Sequence, residues 1–193
     1  MDKVKVFEKE IEYIKDEEYK NNLKILIEGL PDYFFEIEAS STGKYHPSYA
    51  LGNMGLVRHT KAAARIGHEL FNDPCIGDKY TDKEKDLMLI SLILHDGLKC
   101  GNPKERYTRF DHPILAADYV VGSKEKLSLT DEDINFIASA IRSHMGPWNT
   151  NPYSDVVLPV PKTKYENFVH MCDYLASRKF LEVPFDDNNN VIG

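Results

Sequence analysis

The chain has few cysteines: Cys75, Cys100 and Cys172 are widely spaced, and none belongs to a Cys-x-x-Cys pair. Their pattern excludes a disulfide framework and a thiolate zinc site, and it predicts a reducing, cytoplasmic setting. Positive charge is also scarce, since 24 Lys and Arg against 31 Asp and Glu leave a formal net charge of -7. A broad nucleic-acid-binding surface is therefore disfavoured, although a small local basic pocket is not. No stretch approaches the ~18 apolar residues of a membrane span, and Met1-Asp2-Lys3-Val4-Lys5 leads into a charged helical pattern rather than a signal-peptide core. Neither secretion nor a membrane partner is expected. Alternating strand-like runs, repeats and long low-complexity linkers are absent too, so the chain reads as all-α, a single-domain helical bundle.

At 193 residues with 42% hydrophobic content, the chain is long enough to bury a continuous core unaided, so any metal it binds would be functional rather than a folding staple. Residues 1–53 read as two or three packing helices with apolar positions at helical spacing, then an exposed, turn-rich connection over residues 41–53. A core over residues 54–180 follows, and residues 181–193 form a polar tail containing Asp186-Asp187-Asn188-Asn189-Asn190. Within the core a helix is expected over about 54–71. Three further helix starts carry capping boxes: Thr81 with Glu84, Thr130 with Asp133, and Thr163 with Glu166. Asp111, before His112-Pro113, is placed to cap a shorter helix running to about Val121.

The apolar run Leu87 to Leu94 ends in His95-Asp96, and two ligating side chains carried inward are costly unless something binds or neutralises them. His59 shares a helix face with Ala63, Ile66 and Leu70 and points inward. His68, nine residues on, falls about half a turn away at ~100° per residue and reads as a surface histidine, as does His46 in the turn-rich connection. His144 ends the helix begun near Thr130, on the inward side of Ile137, Ala140 and Ile141. Asp173 lies mid-helix beside Val169 and Ala176, where an unpaired carboxylate is expensive to desolvate. His59, His95, Asp96, His112, His144 and Asp173 thus form a set on five helices or helix starts. Mixed imidazole and carboxylate donors suit divalent first-row transition metals, among them Mn, Fe, Co, Ni and Zn.

The order His, His-Asp, His, His, Asp resembles the HD superfamily of metal-dependent phosphohydrolases over about residues 54–180. His95-Asp96-Gly97-Leu98-Lys99 is similar to that family's His-Asp-x-Gly-Lys motif, with glycine one place early and the lysine in register. Ser143-His144-Met145-Gly146, Thr163-x-x-Glu166 and the segment His170 to Lys179 are similar to the HD domain of bacterial 3′→5′ exoribonucleases. The OB-fold module that precedes that domain has no counterpart in the helical first 50 residues.

The resemblance implies that His59, His95, Asp96 and Asp173 hold one metal. It further implies that His112 and His144 hold a second, with Asp96 bridging, so two ions per chain are favoured. Such a pair, ~3.5–4 Å apart, clamps a phosphoryl group and acidifies a shared water. Asp96 and Lys99 are the expected catalytic residues, with Lys99, Arg58, Arg142 and Arg178 as substrate contacts for phosphate oxygens. The locally basic loop Lys104 to Arg109 is read as a lid over a nucleotide phosphate. Trp148 is read either as stacking on a base or as packing its loop, and His170 either as orienting Asp173 or as a packed histidine. The implied function is hydrolysis of a phosphate ester of a nucleotide or related small molecule. The alternatives are a phosphodiesterase acting on short oligonucleotides and a non-catalytic nucleotide-sensing module. A homodimer through the N-terminal helices is left open.

Overall fold

The computed structural model describes residues 1–40 and 44–181; the polar tail and residues 41–43 of the connection lie outside them. Among the described residues the protein is all-α, with one isolated bridge, Asn151 to Ser154, in place of any strand. The described residues form nine α-helices: α1 (Lys3–Val6), α2 (Glu8–Ile11), α3 (Glu17–Glu28), α4 (Gly55–Asn72), α5 (Pro74–Gly77), α6 (Asp82–Leu94), α7 (His112–Gly122), α8 (Asp131–Arg142) and α9 (Lys164–Ala176). The N-terminal segment forms three short helices and a 3-10 turn at Asp32–Phe35. No described helix is long and apolar enough to cross a membrane.

Helix α6 is the axis of the fold. Every residue from Asp86 to Leu94 is buried, which matches a continuous apolar run instead of an amphipathic stripe. Helices α4, α8, α9 and α3 pack around it, while α7 lies against α8 and α9 against α4. A helix enclosed on all sides can deliver its C-terminal residues only to the interior, and His95 and Asp96 arrive there 0% and 1% exposed.

Helix α4 begins one residue later than expected, by an unusual device. Met54 sits in the left-handed region at φ 58° and offers no side-chain cap. The orphan N–H groups are met by backbone instead: Met54 donates to the Glu36 carbonyl and Leu56 to that of Ile37, at 3.1 and 2.9 Å. A Cβ on Gly55 would meet the Ala50 carbonyl oxygen at 2.3 Å, so only glycine lets the turn at Ser48–Ala50 pass this close.

The capping boxes at Thr81–Glu84 and Thr163–Glu166 both form in full. At Thr130 only half of the box forms. The Asp133 carboxylate accepts from the Thr130 hydroxyl at 2.8 Å and pairs with Lys83 at 2.7 Å, because aspartate is a methylene too short to reach the backbone N–H that a glutamate would take. Asp111 likewise makes no side-chain cap on α7; its carboxylate takes Nε and Nη2 of Arg109, each at 2.7 Å.

Burial alone would raise the Asp133 carboxyl, but Lys83 and Thr130 hold it below the usual carboxylate range. A depressed carboxylate contributes stability above its unfolded pKa, ~3.9, and that contribution is lost as pH falls through the lower folded value. D133N is therefore expected to cost ~1–2 kcal/mol near pH 7. Parallel urea melts of the two proteins should converge below about pH 4; a difference independent of pH would assign the effect to packing.

Candidate metal centre

Each candidate ligand comes from a different part of the bundle. His59 is on α4, His95 caps α6, Asp96 follows in the next turn, His112 opens α7, His144 lies just past α8, and Asp173 is on α9. All four histidines are at most 3% exposed. His59, His112 and His144, with Asp96 and Asp173, line a cleft of about 730 Å³, and His95 lies buried behind them.

Three of the imidazoles share one construction. Nδ1 of His95, His112 and His144 bonds the carbonyl three residues back, of Leu92, Arg109 and Ile141, at 2.7, 2.6 and 2.7 Å. A carbonyl only accepts, so each Nδ1 carries a proton, and when the ring is neutral its Nε2 presents a lone pair to the site. These backbone bonds are the outer-shell supports that orient metal-binding histidines. They arise from sequence position, because each histidine follows a helical or tight turn whose last carbonyls lack intrahelical partners.

The consequence is a crowd of acceptors. His112 Nε2 and His144 Nε2 stand 3.3 Å apart, and His59 Nε2 and His95 Nε2 stand 3.4 Å apart. Asp96 lies between the pairs: Oδ1 is 3.1 Å from His112 Nε2 and 3.8 Å from His144 Nε2, and Oδ2 is 3.6 Å from His95 Nε2 and 3.8 Å from His59 Nε2. Asp173 Oδ1 adds a contact of 2.9 Å to His59 and 3.4 Å to His95. Buried Asp96 Oδ1 has no hydrogen-bond donor. Lone pairs facing one another around an orphaned carboxylate oxygen require positive charge among them, and this donor set fits divalent transition ions. The candidate ligand atoms of His59, His95 and Asp173 lie within 4.8 Å of one another, close enough to share an ion, as do those of His95, Asp96 and His144.

The electrostatics agree. Burial would raise both site carboxyls, yet Lys99 and His95 around Asp96, and His95 and His59 around Asp173, hold them well below the usual range. Burial also works against charge on His95, but Asp96 and Asp173 outweigh it and raise its pKa. His144 is pushed down to about 3 by burial and by the neighbouring His95, which outweigh the opposing pull of Asp173. Metal binding requires neutral imidazole, which His144 supplies at any physiological pH.

The other expected residues separate clearly. Lys99 lines the cleft with its ammonium on Asp96 Oδ2. Arg178 lines it as well. Arg58 and Arg142 do not contribute to the cleft wall: Arg58 bonds the carbonyls of Tyr49 and Leu51, bracing the turn before α4, and Arg142 pairs with Asp118 of α7 at 2.6 Å. Of the loop read as a lid, only Thr108 reaches the cleft; Arg109 is committed to Glu105 and Asp111, so the positive charge is spent locally.

His170 does not orient Asp173. Its Nδ1 donates to the carbonyl of His144 at 2.7 Å, supporting that ligand's turn. His68 is half-buried outside the cleft, stacked on Tyr13 at 4.0 Å. His46 departs from expectation most: it lines the cleft, its ring 5.3 Å from His59 and its buried Nδ1 without a partner. Burial and neighbouring His59 push its pKa down to about 4. Periodicity carries no information about a side chain in a turn, so nothing in the sequence marked His46 except its proximity to Pro47.

Gly146 holds the wall behind His144. Its φ is +60°, and a Cβ there would lie 2.2 Å from the pinned His170 ring. G146A is expected to destabilise the fold by ~1–3 kcal/mol, read as a lower urea midpoint, from left-handed strain plus the clash. An unchanged midpoint would mean that His170 swings aside freely.

A model of the HD domain family matches residues 56–178, well over half of the chain. The chain belongs to the HD domain family, whose members are in general metal-dependent phosphohydrolases that bind divalent metals. No curated protein and no solved structure matches it.

Proposed function

We propose that the protein hydrolyses a phosphate ester of a nucleotide or related small molecule at a two-ion centre. His59, His95, Asp96 and Asp173 would hold one ion, and Asp96, His112 and His144 the other. The observation that carries this reading is the Asp96 carboxylate, with one oxygen toward each histidine pair. Ions held there would supply charge for the phosphoryl oxygens and acidify a water. The protein's own residues do the rest. The Nδ1 bonds to Leu92, Arg109 and Ile141 fix ring direction before substrate arrives, which is the preorganisation that phosphoryl transfer depends on. Lys99 stands at the cleft wall beside Asp96, within reach of a phosphate bound above it.

A second reading, a phosphodiesterase or 3′→5′ exonuclease on short oligonucleotides, draws on the likeness over residues 143–179. His144, Met145, His170, Asp173, Ser177 and Arg178 of that stretch all line the cleft.

The test is hydrolysis of paired chromogenic monoester and diester substrates after reconstitution with Mn, Fe, Co, Ni or Zn. Metal-dependent monoester turnover is expected. Diester turnover alone would favour the second reading, and no turnover with any of the five would replace both with a sensing module. Because the ions bind only the folded chain, chelation should also lower Tm by about 5–10 °C relative to protein in a hundredfold excess of metal over Kd. Calorimetry with and without chelator checks this, and an unchanged Tm counts against a resident metal.

A further inference from the structure

The cleft has a second, chemically different end. Asp173 is followed in sequence by Tyr174, and Arg178 lies just past the end of α9. Trp148 comes four residues after His144, on the turn made by Gly146. Its indole stacks on the Tyr174 ring at 5.5 Å with only 9° between the planes, yet Trp148 remains 47% exposed. The Arg178 guanidinium sits 4.3 Å from the Tyr174 ring centre, 4.8 Å from Trp148 and 5.6 Å from Tyr45. Among the described residues Arg178 has no carboxylate partner, and its Nε is buried without an acceptor. All four side chains line the same cleft as the ligand set.

We propose that Trp148, Tyr174 and Arg178 form a subsite for the nucleobase of the substrate. The assignment rests on the proposed function only in that the base belongs to a phosphate-bearing ligand. Flat, half-exposed aromatic surface beside fixed guanidinium donors is what a purine or pyrimidine uses, stacking through its π-face and accepting through ring nitrogens or carbonyl oxygens. An aliphatic leaving group would leave the buried Arg178 Nε unanswered. The placement also fits: Tyr174 directly follows Asp173 and Trp148 lies in the turn after His144, so the platform opens on the same cleft as the candidate ligands.

Trp148 is the chain's single tryptophan and therefore reports on this subsite alone. Chelator-treated protein is titrated with adenosine, cytidine and ribose 5-phosphate while tryptophan emission is followed. The nucleosides should quench saturably, and ribose 5-phosphate should not. Unchanged emission with both nucleosides up to millimolar concentration would overturn the proposal, as would equal quenching by the sugar phosphate. Neither measurement needs hydrolysis, so the subsite can stand or fall apart from the enzymatic reading.

In the loaded enzyme, W148A should raise KM for a nucleoside monophosphate about tenfold relative to that for glycerol phosphate, the scale of one base on one ring, with kcat within about twofold. W148F keeps a stacking face and should restore most of the difference. A fall in kcat on both substrates, unrescued by phenylalanine, would make Trp148 a structural residue and sink the assignment.

Discussion

Asp96→Ala is expected to abolish metal loading and with it the proposed hydrolysis, lowering kcat by about the 10³-fold that loss of one preorganised electrostatic stabiliser can cost. The reason is geometric: Asp96 is the one carboxylate with an oxygen toward both histidine pairs. Removing it also leaves Lys99 without its partner at a site that is 1% exposed, and breaking a buried pair costs ~3–5 kcal/mol. D96N, which keeps the volume and accepts from Lys99, separates the effects. It should remain folded by circular dichroism yet bind no more than a residual fraction of the metal measured in wild-type protein. Wild-type turnover in folded D96N would overturn the role given to Asp96.

His112→Ala and His144→Ala should each reduce bound transition metal from two ions per chain to one. Hydrolysis should fall by more than the 10–100-fold typical of outer-shell changes. His112 and His144 meet the opposite Asp96 oxygen from His59 and His95, so their loss removes donors from one side only. Elemental analysis of the two variants beside H59A checks this. A wild-type content of one ion per chain would refute the two-ion centre and reassign both histidines to substrate contacts.

The fold class was legible from the chain, and the candidate ligands were picked out by their inward faces. The unbroken apolar run Leu87 to Leu94 could only be a central element, and α6 is buried on every side. His59 and Asp173 declared their inward faces through helical periodicity, and both reach the centre. Periodicity says nothing about loops or about which partner a polar side chain takes, and there the reading changed. His46, expected on the surface, faces His59 across the cleft. Arg58 and Arg142, next to ligands in sequence, are turned away by nearby backbone carbonyls and by Asp118. Asp111 and Asp133 had the right residue type for a cap but found stronger partners in Arg109 and Lys83.

What the sequence alone determined is the helical class, the apolar run that carries His95-Asp96 inward and the set of candidate metal-holding residues, because hydrophobic patterning and 3.6-residue periodicity are local properties of the chain. The tertiary structure decided which of those residues face one another. It also placed Asp96 between the two imidazole pairs, gave His170 to the carbonyl of His144, and set Trp148, Tyr174 and Arg178 together on one wall. Those relations join segments far apart in sequence, and they are fixed by how α4, α6, α8 and α9 pack rather than by anything a single helix encodes.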